Sequence, residues 1–225
     1  MVCPAGTGKL LKVDFHSHTH YSPDSLTTIE ELIIAARKQG LDRLVVTDHN
    51  CLAGAREAYA VAPDLVIIGE EVQTTQGEFL AAYITEELPK GLEWQEALKQ
   101  LKDQNAFISL SHPFDPQRSG WPLETLIQLA PQLDAIEVFN ARVLKQEHNT
   151  KALDFARKYN LAGTAGTDGH HPSEIGKAYS VVPDFHDADS LRSAIRNASV
   201  GGSIASPFVH FYSSWARVEK QFRKK

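Results

Sequence analysis

Cysteine is scarce in this chain: Cys3 and Cys51 are the only two among 225 residues. Two thiols build no disulfide framework, so a reducing compartment, the cytoplasm, is the expected location. Long apolar runs are missing too. No stretch approaches the ~20 residues of a membrane span, and the first residues lack the apolar core of a secretory signal. A membrane is therefore not an expected partner. A basic excess is also absent, since 23 Lys and Arg face 28 Asp and Glu for a net charge of −5. That balance argues against long nucleic acid as a partner, while leaving a small phosphorylated substrate, or a short nucleotide, open. Repeats, low-complexity blocks and linkers do not occur. Hydrophobic residues at 42% and charged residues at 23% exclude disorder, collagen and coiled coil as descriptions of the whole chain. The length suits one domain with a sizeable core.

What is present is an alternation of strand-like and helix-like segments. The residue pattern predicts strands at 12–15, 44–46, 66–68, 79–84, 107–110, 135–138, 162–165 and 178–182. Between them, helical spacing predicts helices at 53–60, 92–104, 123–129, 146–159 and 190–196, and another from 29 to about 39 that Gly40 stops. Thr27-Thr28-Ile29-Glu30-Glu31 reads as a capping box opening that helix. Such alternation favours a parallel sheet with helices outside, open or closed into a barrel. The expected division is a tail over 1–10, one domain over 11–206 and a solvated tail over 207–225.

Ten histidines stand out, several beside acids. They gather where predicted strands end: His16 and His18, Asp48-His49, Glu70-Glu71, Ser111-His112, Asn140, and Asp168-Gly169-His170. In an α/β barrel those ends form the face on which active sites are built. His16 and His18 are two residues apart, so an extended chain points both to one side with Cα atoms ~6.6 Å apart. Two imidazoles so placed can converge on one metal ion. Asp168 and His170 repeat the arrangement with a carboxylate. Of the adjacent Asp48 and His49, a regular strand turns only one inward; His49 is the expected ligand, with Asp48 orienting a neighbouring imidazole. Glu70 and Glu71 pose the same choice, which spacing leaves open. His20 is read as a bystander or as a group supporting the ligands from behind.

Taken together these segments resemble the PHP (polymerase and histidinol phosphatase) family of metal-dependent phosphoesterases. The resemblance rests on DFHSHTHYSPDS at 14–25, VVTDHN at 45–50, GEEVQT at 69–74, SHPFD at 111–115, EVFNAR at 137–142 and GTDGHHPSEIG at 166–176, in the family's order. It implies a single-domain α/β fold, a distorted seven-stranded (β/α)7 TIM-like barrel, carrying two or three divalent metal ions (zinc, manganese or iron(II)). His16, His18, Glu71 and Asp168 match the ligands of a first metal, with Glu71 rather than Glu70 bridging to a second. His112 matches a ligand of the second metal, and Asp24, His49 and His170 match a third site. Glu78 stands where many relatives carry His, and its carboxylate is a competent donor.

The implied activity is hydrolysis of a phosphate ester by a metal-activated hydroxide at a di- or trinuclear centre. Arg142 is the candidate for holding phosphoryl oxygens, since a guanidinium meets phosphate through two parallel bonds. Asn140 and Asp48 complete the expected catalytic set, and Arg118 and Lys177 are weaker candidates for substrate charge. The alternatives are a barrel amidohydrolase, which shares His-x-His but often needs a bridging lysine, and a metal-stabilised module without catalysis. PAGTGKL at 4–10 imitates a phosphate-binding loop but ends in Leu10 and precedes a strand rather than a helix. No Gly-x-Ser-x-Gly turn is present.

Overall fold

The computed structural model describes residues 8–118 and 120–223. Cys3 and most of the 4–10 segment lie outside them. Seven strands come first: β1 (Leu10–Ser17), β2 (Arg43–Val46), β3 (Val66–Gln73), β4 (Glu78–Ala82), β5 (Phe107–Leu110), β6 (Ala135–Asn140) and β7 (Ala162–Gly166). Between them run α1 (Ile29–Lys38), α2 (Ala53–Val61), α3 (Trp94–Asp103), α4 (Leu123–Leu129) and α5 (Gln146–Tyr159). β8 (Ala178–Pro183), α6 (Ala188–Ala194), β9 (Ser199–Gly202) and α7 (Val209–Arg223) follow.

The helices form where their apolar spacing predicts. α1 buries Ile29, Leu32, Ile33 and Ala36 on one face. Its capping box is complete: the Thr28 hydroxyl accepts from the Glu31 N–H at 3.2 Å, and the Glu31 carboxylate accepts from the Thr28 N–H at 3.0 Å. α3 buries Trp94, Ala97, Leu98 and Leu101, which pack with Phe79, Ile108 and Leu126 in the largest apolar cluster.

Seven strands share one curled sheet in the order β5-β4-β3-β2-β1-β8-β9, and β6 pairs with β7 separately. β1, β2 and β3 are parallel. β4 is antiparallel to β3 because only the tight turn over 74–77 joins them, too short for a crossover. The β6–β7 pair spans the gap between β5 and β1. On one side the Asp134 N–H donates to the Ile108 carbonyl at 3.0 Å; on the other the Asp168 N–H donates to the His16 carbonyl at 2.7 Å. β1 is thereby forked. Its first half, Leu10–Val13, pairs antiparallel with β8, while its second half leans on the end of β7. β1 to β7 together form the expected distorted seven-stranded barrel, with the ladder interrupted at β6–β7.

Two elements differ from expectation. β9 was not predicted, and the 207–225 stretch is no solvated tail: it contains α7, which buries Val209, Ser213 and Ala216. Among the described residues no helix is long and apolar enough to cross a membrane.

Candidate metal centre

The barrel gathers the predicted donors at one end. His16 and His18 lie on and just past β1, both fully buried, and their Nε2 atoms are 3.0 Å apart. At that separation at most one can carry the proton, and both lone pairs can face a common cation. Glu71 Oε2 lies 3.3 Å from His16 Nε2, 3.4 Å from His18 Nε2 and 2.9 Å from His49 Nδ1. Asp168 Oδ1 lies 3.7 Å and 3.4 Å from the same two Nε2 atoms. Glu71 Oε1 is 3.2 Å from His112 Nε2, which in turn is 3.6 Å from Glu78 Oε2. Asp24 Oδ1 is 3.2 Å from His170 Nε2 and 3.5 Å from His49 Nε2. All nine expected ligands therefore meet in one continuous cluster.

The carboxylates test whether cations fit. Each of Asp24, Glu71 and Asp168 has one oxygen satisfied by protein donors. Arg217 Nη2 donates to Asp24 Oδ2 at 2.7 Å, the Ser111 hydroxyl to Glu71 Oε1 at 2.5 Å, and the Asn140 amide to Asp168 Oδ2 at 3.2 Å. The other oxygen of each, Asp24 Oδ1, Glu71 Oε2 and Asp168 Oδ1, is buried and accepts no hydrogen bond. All three of those atoms face imidazoles. Buried acceptors left without donors are costly in a folded core, and divalent cations would satisfy all three. The donor groups His18/His49/His170, His16/Glu71/His112, His16/His18/Asp168 and His49/Glu71/Glu78 each have atoms within 4.8 Å of one another. Mixed imidazole and carboxylate ligation suits zinc, manganese or iron.

The electrostatics follow from burial. Desolvation opposes an imidazolium at His16, but Glu71, Asp168 and Glu137 outweigh it and hold the pKa well above the ordinary value. His18 has less carboxylate support; burial and the neighbouring His49 bring it down to about 4. Burial would raise Asp168, yet the charges of Arg118 and His16 keep it well below the usual carboxylate range. Glu78 moves the other way, raised by burial and by Glu71.

The fold explains the convergence. β3 runs past its apolar segment to Gln73, so Glu70 and Glu71 lie within the strand rather than after it and point to opposite faces. Glu71 enters the cluster, whereas Glu70 turns to the Leu88 N–H at 3.2 Å, and burial lifts its pKa to about 8. Because β4 is antiparallel, its first residue Glu78 sits opposite Gln73 at the same end of the barrel.

The three expected catalytic residues do not face the cavity in the same way. Asp48 is buried beneath the cluster, accepting from the Thr19 N–H at 2.7 Å and the Ser22 hydroxyl at 2.6 Å; Ser22 in turn lies 3.0 Å from His18 Nδ1. It thus acts on His18 through Ser22. Asn140 ties Asp168 Oδ2 to Glu137 Oε2 through its amide. Arg142 is 1% exposed, and its guanidinium donates to the carbonyls of Asp168 and Val209 and to the Ser213 hydroxyl while facing Glu174 at 3.2 Å. Its donors are mostly occupied by protein. Arg118 and Arg142 both line the cavity; Arg118 is the more exposed of the two and is ion-paired with Asp168. Lys177 does not line the cavity.

Glu137 escaped the sequence reading. Buried in β6, it accepts from His16 Nδ1 at 3.1 Å and from the His112 N–H at 2.8 Å, fixing two imidazole-bearing residues at once. The available signal was a glutamate inside the apolar strand Ala135–Asn140. Arg217, from α7, was also missed.

A cavity of about 700 Å³ opens above the cluster, walled by Asp24, His49, Glu78, His112, Arg118 and Arg217 among others. Its size suits a small molecule.

Known proteins share the family and the fold. An uncharacterized protein of Methanocaldococcus jannaschii, MJ0417, is 35% identical over 173 residues, covering 75% of this chain and 69% of that one. A two-domain Bacteroides vulgatus protein containing a predicted PHP-like metal-dependent phosphoesterase superposes with a TM-score of 0.73 at 22% identity, over 87% of this chain; the chain spans 66% of its length. An amidohydrolase from Chromobacterium violaceum superposes with a TM-score of 0.61 at 14% identity, over 90% of this chain and 96% of that one. These two structures share the fold. Residues 146–200 match the PHP-associated family. The match of residues 14–159 to the PHP domain covers well over half of the chain, which belongs to the PHP domain family.

Proposed function

We propose that the protein hydrolyses a phosphate ester of a small molecule, a short nucleotide included, at a di- or trinuclear divalent-metal centre. The observation that carries this reading is the set of three buried carboxylate oxygens that lack hydrogen bonds and face the imidazoles. His16, His18, Glu71 and Asp168 would hold one ion, Glu71, His112 and Glu78 a second, and Asp24, His49 and His170 a third. Divalent ions there supply acidification of a water and polarisation of phosphoryl oxygens.

The protein's own groups do the rest. Glu137 and the Asp48–Ser22 pair hold the His16 and His18 rings in orientation. Arg118, whose guanidinium opens onto the cavity, is the group we assign to phosphoryl oxygens. Arg142 supports the site by anchoring α7 to the Asp168 backbone. The cavity's volume of about 700 Å³ suits a small substrate. A free, half-buried Cys51 accords with a cytoplasmic location.

The fold likeness to an amidohydrolase keeps amide hydrolysis as the rival. Among the described residues Lys90 is the lysine that lines the cavity, and it follows β4 rather than ending a mid-barrel strand. A screen of phosphate monoesters, phosphodiesters and N-acyl compounds with the manganese- and zinc-loaded protein decides between them. Phosphate release is expected; turnover confined to N-acyl compounds would overturn the proposal.

A further inference from the structure

α7 is amphipathic in reverse. Its polar side, His210, Ser213, Ser214 and Arg217, recurs at helical spacing and lines the cavity. Arg217 reaches Asp24 at 2.7 Å, and the Lys220 ammonium donates to the His20 carbonyl at 2.6 Å. The apolar side faces water. Phe208, in the turn just before the helix, and Phe211, Trp215, Val218 and Phe222 on it are 73%, 71%, 63%, 45% and 74% exposed. A surface helix ordinarily buries its apolar stripe and exposes its charges; here the protein uses the charged side for its own site and leaves the stripe uncovered.

The spacing of that stripe identifies what covers it. Steps of three, four, three and four residues from Phe208 to Phe222 are those of a helix–helix seam. A lipid surface would be met by a broad apolar face with cations displayed around it. Arg217 and Lys220 point instead toward Asp24 and the His20 carbonyl, and the chain carries a net charge of −5. Aromatic side chains bury roughly 150–250 Å² each. At the exposures of the four aromatic residues, one stripe offers roughly 400–700 Å², and two stripes together reach the ~1,000 Å² that a specific interface requires.

We infer that the protein forms a two-fold dimer in which the outer face of α7 packs against the same face of α7 in a second copy. A two-fold pairing is self-complementary, so one stripe serves both sides. Because the inner face of the same helix walls the cavity, the dimer contact also holds Arg217 and Ser213 in place over the metal centre.

Sedimentation velocity of the full chain over a range of concentrations tests this. The wild type is expected to sediment at about twice the 24.9 kDa monomer mass. Trp215→Glu and Phe211→Glu should each return it to the monomer with an unchanged far-UV spectrum, and Phe211→Leu should keep the dimer. A wild type that stays monomeric at high micromolar concentration overturns the inference. So does a dimer that both glutamate variants preserve. A monomer that floats with phosphatidylserine–phosphatidylcholine vesicles would assign the stripe to lipid instead. If a glutamate variant loses its helical spectrum, crosslinking of a Val218→Cys variant through the stripe gives the same decision: a covalent dimer is expected, and its absence counts against the pairing.

Discussion

Single residues in this site divide into those whose loss removes a donor and those whose loss misplaces one. His18 and Asp168 belong to the proposed ligand set, each fully buried and facing the other at 3.4 Å. His18→Ala and Asp168→Ala should each lower the metal content of purified protein and remove phosphoesterase turnover. Full metal occupancy with unchanged turnover in either variant would refute the assignment. The two arginines separate differently. Arg118 is partly exposed at the cavity, whereas Arg142 is buried against Glu174 and α7. Arg118→Ala should raise KM for a phosphate ester about tenfold or more with little change in Tm, in keeping with a lost charge-assisted contact. Arg142→Ala leaves the buried Glu174 without its partner and should cost on the order of 3 kcal/mol of stability by urea titration. The reverse pattern would return the phosphate-holding role to Arg142. Most donors were legible in the sequence because a His or Asp beside an apolar run is conspicuous. The burial of Arg142 was not legible because spacing alone gives no measure of it, and Glu137 was passed over because its partners come from β1 and the residues after β5.

At the level of elements, apolar periodicity located β1 to β8 and α1 to α6, since each of these elements turns its apolar residues toward the core. β9 left no such trace. Ser199–Gly202 is a sheet-edge strand with two glycines and no buried residue. α7 was hidden for the opposite reason: its large aromatic residues Phe211, Trp215 and Phe222 face outward, and the charged residues near its end read as a solvated tail. The junction of β1 with β7 is equally silent in sequence, although it decides where His16 stands. Gly166 ends β7 directly against His16, and an added Cβ would collide with the His16 side chain while pressing on Glu137 Oε1 at 2.6 Å. Gly166→Ala should therefore destabilise the fold by about 1–3 kcal/mol, as overpacking in a core does. It should also weaken metal binding measured by isothermal titration. Wild-type affinity in a stable Gly166→Ala protein would show that this contact does not set the position of His16.

For the molecule as a whole, the proposed metal centre is also the meeting point of the chain. Its donors come from β1 and the loop after it, from the segment after β2, from β3, β4, the end of β5 and the loop after β7, and α7 reaches it through Arg217. Cations bound there join elements far apart in sequence, and a ligand that binds only the folded state stabilises it by about 2.7 kcal/mol at a hundredfold excess over Kd. Several ions acting on three buried carboxylates should do more. Thermal unfolding after exhaustive chelation is expected to show a Tm lower by about 5 °C or more, and manganese or zinc should restore it in a concentration-dependent way. For a chain of this size 1 kcal/mol corresponds to roughly 2–4 °C, so the effect lies well above measurement error. His18→Ala should blunt the metal-dependent rise, because the same cluster loses a donor. A Tm indifferent to chelation and to added metal in the wild type would mean that the carboxylates of Asp24, Glu71 and Asp168 are satisfied without cations, and the proposed hydrolysis would lose its foundation.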